Sequence, residues 1–127
     1  MNLLIDTHIL VWWDIRSPDL RPDICECVAS PENPVFVSAA SVWEIATKRR
    51  SGKLQFGRSI RSIIQQCGFA ELPISVEDAE LAGDLDWDHH DPFDRLLVAQ
   101  ARNHDLTLVT ADRAIRGYGA VAQIWAG

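Results

Sequence analysis

"DPFDRLLVAQARNHDLTLVTAD", residues 91–112, is the stretch on which the fold reading turns. Asp91 followed by Pro92 reads as a helix start: a side-chain acceptor at the cap, then a residue whose missing N–H does no harm in the first turn. The helix is expected over PFDRLLVAQARNH. After it, LTLVT is apolar without alternation, the pattern of a short strand covered on both faces. On a 3.6-residue period Asp94 shares a helix face with Leu97, Val98 and Ala101, while Arg95 and Arg102 mark the polar side. Asp94 is therefore expected to face the core one turn inside the helix. An ionised carboxylate there needs a metal or a cationic partner such as an arginine, although the helix N-terminus helps hold the charge. Asp91 reads first as the cap.

The same alternation of helix and strand extends in both directions. NLLI at the start reads as a buried strand, and DTHILVWWD as a short helix with Asp6 or Thr7 near its cap. A second helix is expected over roughly Ile24 to Ala29, broken by SPENP. VFVS is the next strand. SAASVWEIATKRRSGKL is a helix with Ser38 as its cap and Gly52 ending it. RSIRSIIQQCG is another helix, stopped by Gly68, and FAELPI a weak strand. SVEDAELAGDL opens like a capping box, DWDHHD is a polar loop, ADRAIRGYG a turn or short helix, and a last strand lies in AVAQIW. Such alternation of short apolar strands with helices implies an α/β domain with a mainly parallel sheet.

The totals agree. A chain of 127 residues is enough for one domain, 1–127, and too short for two. With 47 % apolar residues it can bury roughly two-thirds of its unfolded surface. The net charge of −6 argues against binding nucleic acid through a broadly basic surface, yet it leaves a nucleic-acid substrate open, because divalent cations reverse the field in an acidic site. The one basic run is KRRSGK, with Lys48, Arg49, Arg50 and Lys53, followed by Arg58 and Arg61. Cys25, Cys27 and Cys67 match no zinc spacing and read as reduced thiols. MNLLID does not read as a signal peptide and ILVWW is too short to span a bilayer, so a cytoplasmic protein is expected, with no membrane role.

In parallel α/β sheets ligands bind beyond the carboxyl ends of the strands. Asp6 follows the first strand directly and Asp112 comes two residues after LTLVT, so both carboxylates fall on one rim. Each also fits a helix cap or turn. Glu44 is equivocal: periodicity buries Val42, Trp43, Ile45 and Ala46 and leaves Glu44 on the outer side with Lys48 as an ordinary i,i+4 pair. His89 and His90 are metal-capable but read as members of a solvated loop, and His8 as a plain helix residue. The five tryptophans read as core and interface area. No G-x-S-x-G, phosphate-binding loop or G-x-G-x-x-G is present.

Four segments in order, LLIDTHILVWW, VSAASVWEIATKRRSGKL, DPFDRLLVAQA and LTLVTAD, resemble PIN-domain ribonucleases, most closely the VapC-type toxins of bacterial toxin–antitoxin pairs. The resemblance covers nearly the whole chain and implies a PIN-like three-layer α/β/α domain with a central, mainly parallel sheet. It implies a metal-dependent endoribonuclease that hydrolyses RNA with one or two Mg²⁺ or Mn²⁺ ions. Its catalytic and metal-binding acids would be Asp6, Glu44, Asp94 and Asp112, with Thr7, Thr110 and Asp91 as weaker supporting groups. Glu44 would either ligate metal or orient the attacking water. The stretch after Asp112, DRAIRGYG, departs from the family pattern. The implied partners are an RNA substrate, a cognate antitoxin that covers the pocket, and a second copy in a homodimer. Hard divalent cations favour such oxygen ligands, and two ions roughly 4 Å apart can serve the attacking and leaving oxygens of a phosphodiester.

Two other readings compete. A receiver-like phospho-acceptor domain is similar in size and pattern, but it resembles a layout with paired acids after the first strand and a late lysine. Here Asp6 stands alone and no lysine follows Lys53. A PIN fold without catalysis, acting as a binding module, would keep the same acids.

Overall fold

The computed structural model describes residues 1–127. Five strands, β1 (Leu3–Ile5), β2 (Val35–Ser38), β3 (Ala70–Leu72), β4 (Thr107–Thr110) and β5 (Gln123–Trp125), form one sheet in the order β3-β2-β1-β4-β5. Every neighbouring pair is parallel. Seven helices connect them: α1 (Thr7–Ile15), α2 (Pro22–Ala29), α3 (Ala39–Arg50), α4 (Ile60–Cys67), α5 (Val76–Asp84), α6 (Pro92–Asn103) and α7 (Arg113–Gly117). The expected elements all form. The second helix starts two residues earlier than its apolar pattern suggested, because Pro22 opens its first turn.

Side chains alternate along each strand, and both faces are covered. Leu3, Ile5, Val35, Val37 and Val109 pack on one side against Ile9, Leu10, Ile24, Ile45 and Ile63 from α1 to α4. Leu4 and Leu108 point the other way, against Leu97, Val98 and Ala101 of α6 and Ile115 of α7. That makes three layers. The strand order reverses at β1, whose neighbours β2 and β4 lead away in opposite directions. A crevice therefore opens beyond the carboxyl ends of β1 and β4, where their following helices diverge.

Local chemistry sets the element ends. Asp6, Ser38, Ser59, Ser75, Asp91 and Asp112 each cap the following helix with a side-chain oxygen. Gly68 ends α4 at φ +69°, a left-handed conformation that glycine adopts without strain. Among the tryptophans, Trp12, Trp13 and Trp87 pack half-buried against the core, and Trp43 is 57 % exposed. All three cysteines are free thiols. No helix is long and apolar enough to cross a membrane.

Candidate active site

A cavity of about 70 Å³ opens at the β1/β4 rim, lined by Asp6, Thr7, His8, Glu44, Lys48, Asp91, Asp94 and Asp112 and by no apolar side chain. All four expected acids, with Thr7 and Asp91, thus converge on one small polar volume. Five carboxylates there face a single lysine.

Asp6 reaches the rim because β1 ends at Ile5. It is 3 % exposed. Its Oδ1 accepts the Ile9 N–H at 2.9 Å and its Oδ2 the Thr110 hydroxyl at 2.5 Å. Burial raises its carboxyl above the usual 3.8, against the pull of those two hydrogen bonds. Thr110, the last residue of β4, also accepts the Asp112 N–H at 3.0 Å. One hydroxyl therefore ties the two strand ends together. Asp112 caps α7 with Oδ1, which accepts from Ala114 N (2.8 Å) and Ile115 N (3.2 Å). Those contacts replace the support that the unfamiliar DRAIRGYG stretch left open.

Glu44 overturns the periodicity reading of α3. It is 5 % exposed, whereas Trp43 and Ala46, expected inside, lie on the surface. The inner face of α3 carries Ala40, Ser41, Glu44 and Ile45. Glu44 tolerates burial because both its oxygens are satisfied: Thr7 Oγ1 donates to Oε1 at 2.6 Å and Lys48 Nζ to Oε2 at 2.7 Å. Ser41 Oγ lies 3.0 Å from Thr7 Oγ1 and completes the cluster. Trp43 packs its ring edge-on against Phe93 of α6 instead, with centroids 4.9 Å apart.

Asp94 sits on the inner side of α6, as its period requires, but its partner is not an arginine. His89 Nε2 lies 2.7 Å from Oδ2. Burial pushes the Asp94 carboxyl up to about 7; the His89 hydrogen bond opposes that rise, and the Asp112 and Asp91 charges add to it. Asp91 caps α6 through Oδ1, which accepts from Phe93 N at 2.9 Å and Asp94 N at 3.1 Å. His89, Asp91 and Asp94 each bring one ligand-capable atom within 4.8 Å of the others.

Arg95 also departs from expectation. It folds back onto the end of α5 rather than pointing to solvent, and hydrogen-bonds five backbone carbonyls from Ala82 to His89. His8, His89, Arg95, Ser41 and Lys48 are the site groups that sequence reasoning missed or set aside. For Ser41 and Lys48 a signal existed, since positions 41, 44 and 48 share one helix face. For His89 the one signal was a metal-capable imidazole in an acidic loop, and for Arg95 there was none, because carbonyl partners leave no mark in a sequence. The KRRSGK run is partly consumed inside the fold: Lys48 serves Glu44, and Arg49 donates to the Phe56 and Arg58 carbonyls.

The donor set suits a hard divalent cation: clustered carboxylate oxygens, no thiol, and two acids whose carboxyls are raised and so favour any cation that offsets their charge.

A family profile described as the PIN domain matches residues 3–121. Among curated proteins, the chain is similar to ribonuclease VapC22 of Mycobacterium tuberculosis, at 25 % identity over 92 % of each chain. Among solved structures, it superposes on a chain of VapBC2 from Rickettsia felis bound to a promoter DNA fragment, with TM-score 0.74, 17 % identity and 100 % of both chains covered. It also superposes on a chain of a toxin–antitoxin complex from Klebsiella pneumoniae, with TM-score 0.66, 21 % identity and 98 % of each covered.

Proposed function

The chain belongs to the PIN domain family, and on that premise we propose that it is a divalent-metal-dependent endoribonuclease, the toxin of a toxin–antitoxin pair. The observation that carries this reading is the cavity whose lining is wholly polar and holds Asp6, Glu44, Asp94 and Asp112. Its similarity to ribonuclease VapC22 over 92 % of both chains supports the same activity.

In this reading Asp6, Asp94 and Asp112 hold one or two Mg²⁺ or Mn²⁺ ions at the rim. A divalent ion there supplies Lewis acidity, which neutralises charge on the scissile phosphate and lowers the pKa of a neighbouring water. The protein's own groups set the geometry. Thr110 orients Asp6, the α7 N-terminus orients Asp112, and Thr7 with Lys48 fixes Glu44. Glu44 is placed either to share in holding the ion or to accept a hydrogen bond from the attacking water. Attack forms the new P–O bond as the bond to the departing ribose oxygen breaks. No serine or histidine nucleophile is needed, consistent with the lack of any triad.

The partners follow from the same reading. They are an RNA substrate, a cognate antitoxin that closes the pocket, and a second copy of the chain. An apolar groove of about 480 Å³ along α3, lined by Val42, Trp43, Ile64 and Leu72, supports a protein partner.

The test is cleavage of total cellular RNA by purified, antitoxin-free protein in Mg²⁺ or Mn²⁺, in EDTA, and with Asp94→Asn. Discrete fragments that need metal and vanish in the variant are expected. A folded wild type that cuts nothing in either metal points to the binding-module reading. Cleavage that persists in EDTA or in Asp94→Asn refutes the site.

A further inference from the structure

The acids of the cavity are not held alike. Asp6 accepts a backbone N–H and a buried hydroxyl. Asp112 accepts two backbone N–H groups. Glu44 is fixed by Thr7 and Lys48. Asp94 accepts no backbone N–H, and its one hydrogen bond within the protein is to His89 Nε2 at 2.7 Å. His89 lies on the segment between α5 and α6, which has no regular structure to fix it. A carboxylate central to the cavity therefore depends on a loop residue, and the loop must be held by something else.

Arg95 is placed to hold it. A guanidinium has five N–H donors in a rigid plane, and here each meets a different carbonyl. Nε donates to Ala82 O at 2.8 Å, one terminal nitrogen to Trp87 O (2.6 Å) and His89 O (3.0 Å), and the other to Gly83 O (3.3 Å) and Leu85 O (2.8 Å). Two of these, Ala82 and Gly83, lie in the last turn of α5, whose carbonyls lack helical partners. The others lie along the loop and end at His89 itself. Trp87 adds a second restraint, its ring centroid 4.8 Å from that of the His89 imidazole. His89 is not among the residues lining the cavity, and its Nε2 meets Asp94 at Oδ2.

Resting on the metal reading above, we infer that Arg95 and His89 act in series as positioning residues for Asp94. Arg95 fixes the backbone that carries His89, and the His89 N–H fixes Asp94 Oδ2 so that Oδ1 is presented to the cation. His89 is a support in this arrangement, not a ligand. Groups that orient metal ligands typically contribute 10- to 100-fold in metal affinity.

The probe is Mn²⁺ alone, titrated into the full chain and followed by electron paramagnetic resonance. His89→Leu is expected to weaken Mn²⁺ binding by roughly 10- to 100-fold. His89→Gln, which keeps an N–H donor of similar reach, is expected to restore most of it. Arg95→Lys, with three donors on a flexible stem in place of a planar fork, is expected to weaken binding as His89→Leu does. The double variant is expected to be no weaker than the poorer single one, because the two act through one path. Electron spin-echo modulation of the bound Mn²⁺ is expected to show no directly coordinated nitrogen. Undiminished binding by His89→Leu overturns the inference, and so does a nitrogen coupling that disappears in His89→Gln, which would make His89 a ligand. Losses that add in the double variant overturn the serial link. If Arg95→Lys fails to fold, the two His89 variants still decide the role of His89. A folded wild type that binds no Mn²⁺ overturns the metal reading and this one with it, whereas wild-type binding unaffected by His89→Leu overturns this one alone.

Discussion

Replacing Asp94 with asparagine should stabilise the metal-free protein at neutral pH, and the amount follows from the site. Burial pushes the Asp94 carboxyl from 3.8 up to about 7. A folded-state pKa raised above the unfolded one means that the group's contribution is intact below about pH 4. It is then lost as pH rises towards 7, and constant above that. A difference of about 3 units at 1.36 kcal/mol each sets a ceiling near 4 kcal/mol. The side chain is 14 % exposed beside an open cavity, and water there reduces the effective penalty, so about 2–3 kcal/mol is expected. Asparagine fills the same space and does not titrate. In EDTA, urea melts of Asp94→Asn and wild type should run level near pH 4. They should then separate by about 2–3 kcal/mol in favour of the variant by pH 7, with no further change to pH 8.5. Asp6, also raised, remains in both proteins and largely cancels in the difference. Divalent metal at about a thousand times its Kd should reverse the order, since an ion bound only to folded wild type then adds about 4.1 kcal/mol. A difference that stays flat from pH 4 to 8.5 in EDTA would refute the claim that Asp94 is held against a charge penalty, and with it the argument that the site favours a cation.

Other groups make shorter predictions. Thr110→Val removes the hydroxyl shared by Asp6 and Asp112; a loss of about 1–3 kcal/mol in urea melts at pH 7, regained by Thr110→Ser, is expected for an orphaned buried carboxylate. Glu44→Gln keeps the acceptor for Thr7 but removes the charge beside Lys48; RNA cleavage should fall by at least about 100-fold, and wild-type cleavage would leave Glu44 as only a partner for Lys48. Trp43→Ala should cost less than about 1 kcal/mol in a thermal melt because the ring is mostly in solvent, whereas a core tryptophan would cost about 3–5. Burial opposes the ionised form of Asp78, but hydrogen bonds from the Asn103 amide, the Ser75 backbone N–H and His104 bring its carboxyl down to about 2. Its stabilisation should therefore be present above pH 4 and fade as pH falls towards 2, and Asp78→Asn should lose roughly 1–2 kcal/mol at pH 7 and little at pH 2.

How far a sequence speaks for its fold depends on the range of the interaction that decides each residue. Strands with apolar residues on both faces must be covered on both faces, so LLI, VFVS and LTLVT already carry the three layers. Parallel strands put their carboxyl ends on one rim, so Asp6 and Asp112 were legible as neighbours before any contact was known. Asp94 was legible because a helix period is a local property.

Glu44 was not, and the reason is instructive. Apolar periodicity assumes that a tryptophan outranks a glutamate for an inner position. Here α3 turns toward a polar cavity, where Thr7 and Lys48 satisfy the carboxylate and Ser41 lies against the Thr7 hydroxyl. A surface place is left for Trp43, against Phe93. Lys48 and Ser41 lie on the helix of Glu44, so only Thr7, 37 positions away, is beyond local reading. Arg95 is the extreme case. Its five partners are carbonyls, which every residue has, so no pattern of side chains could name them. Patterning can therefore find the acids that a fold brings to a rim, but not the groups that aim them. In this site the aiming of Asp94 falls to a loop histidine and an arginine that do not line the cavity.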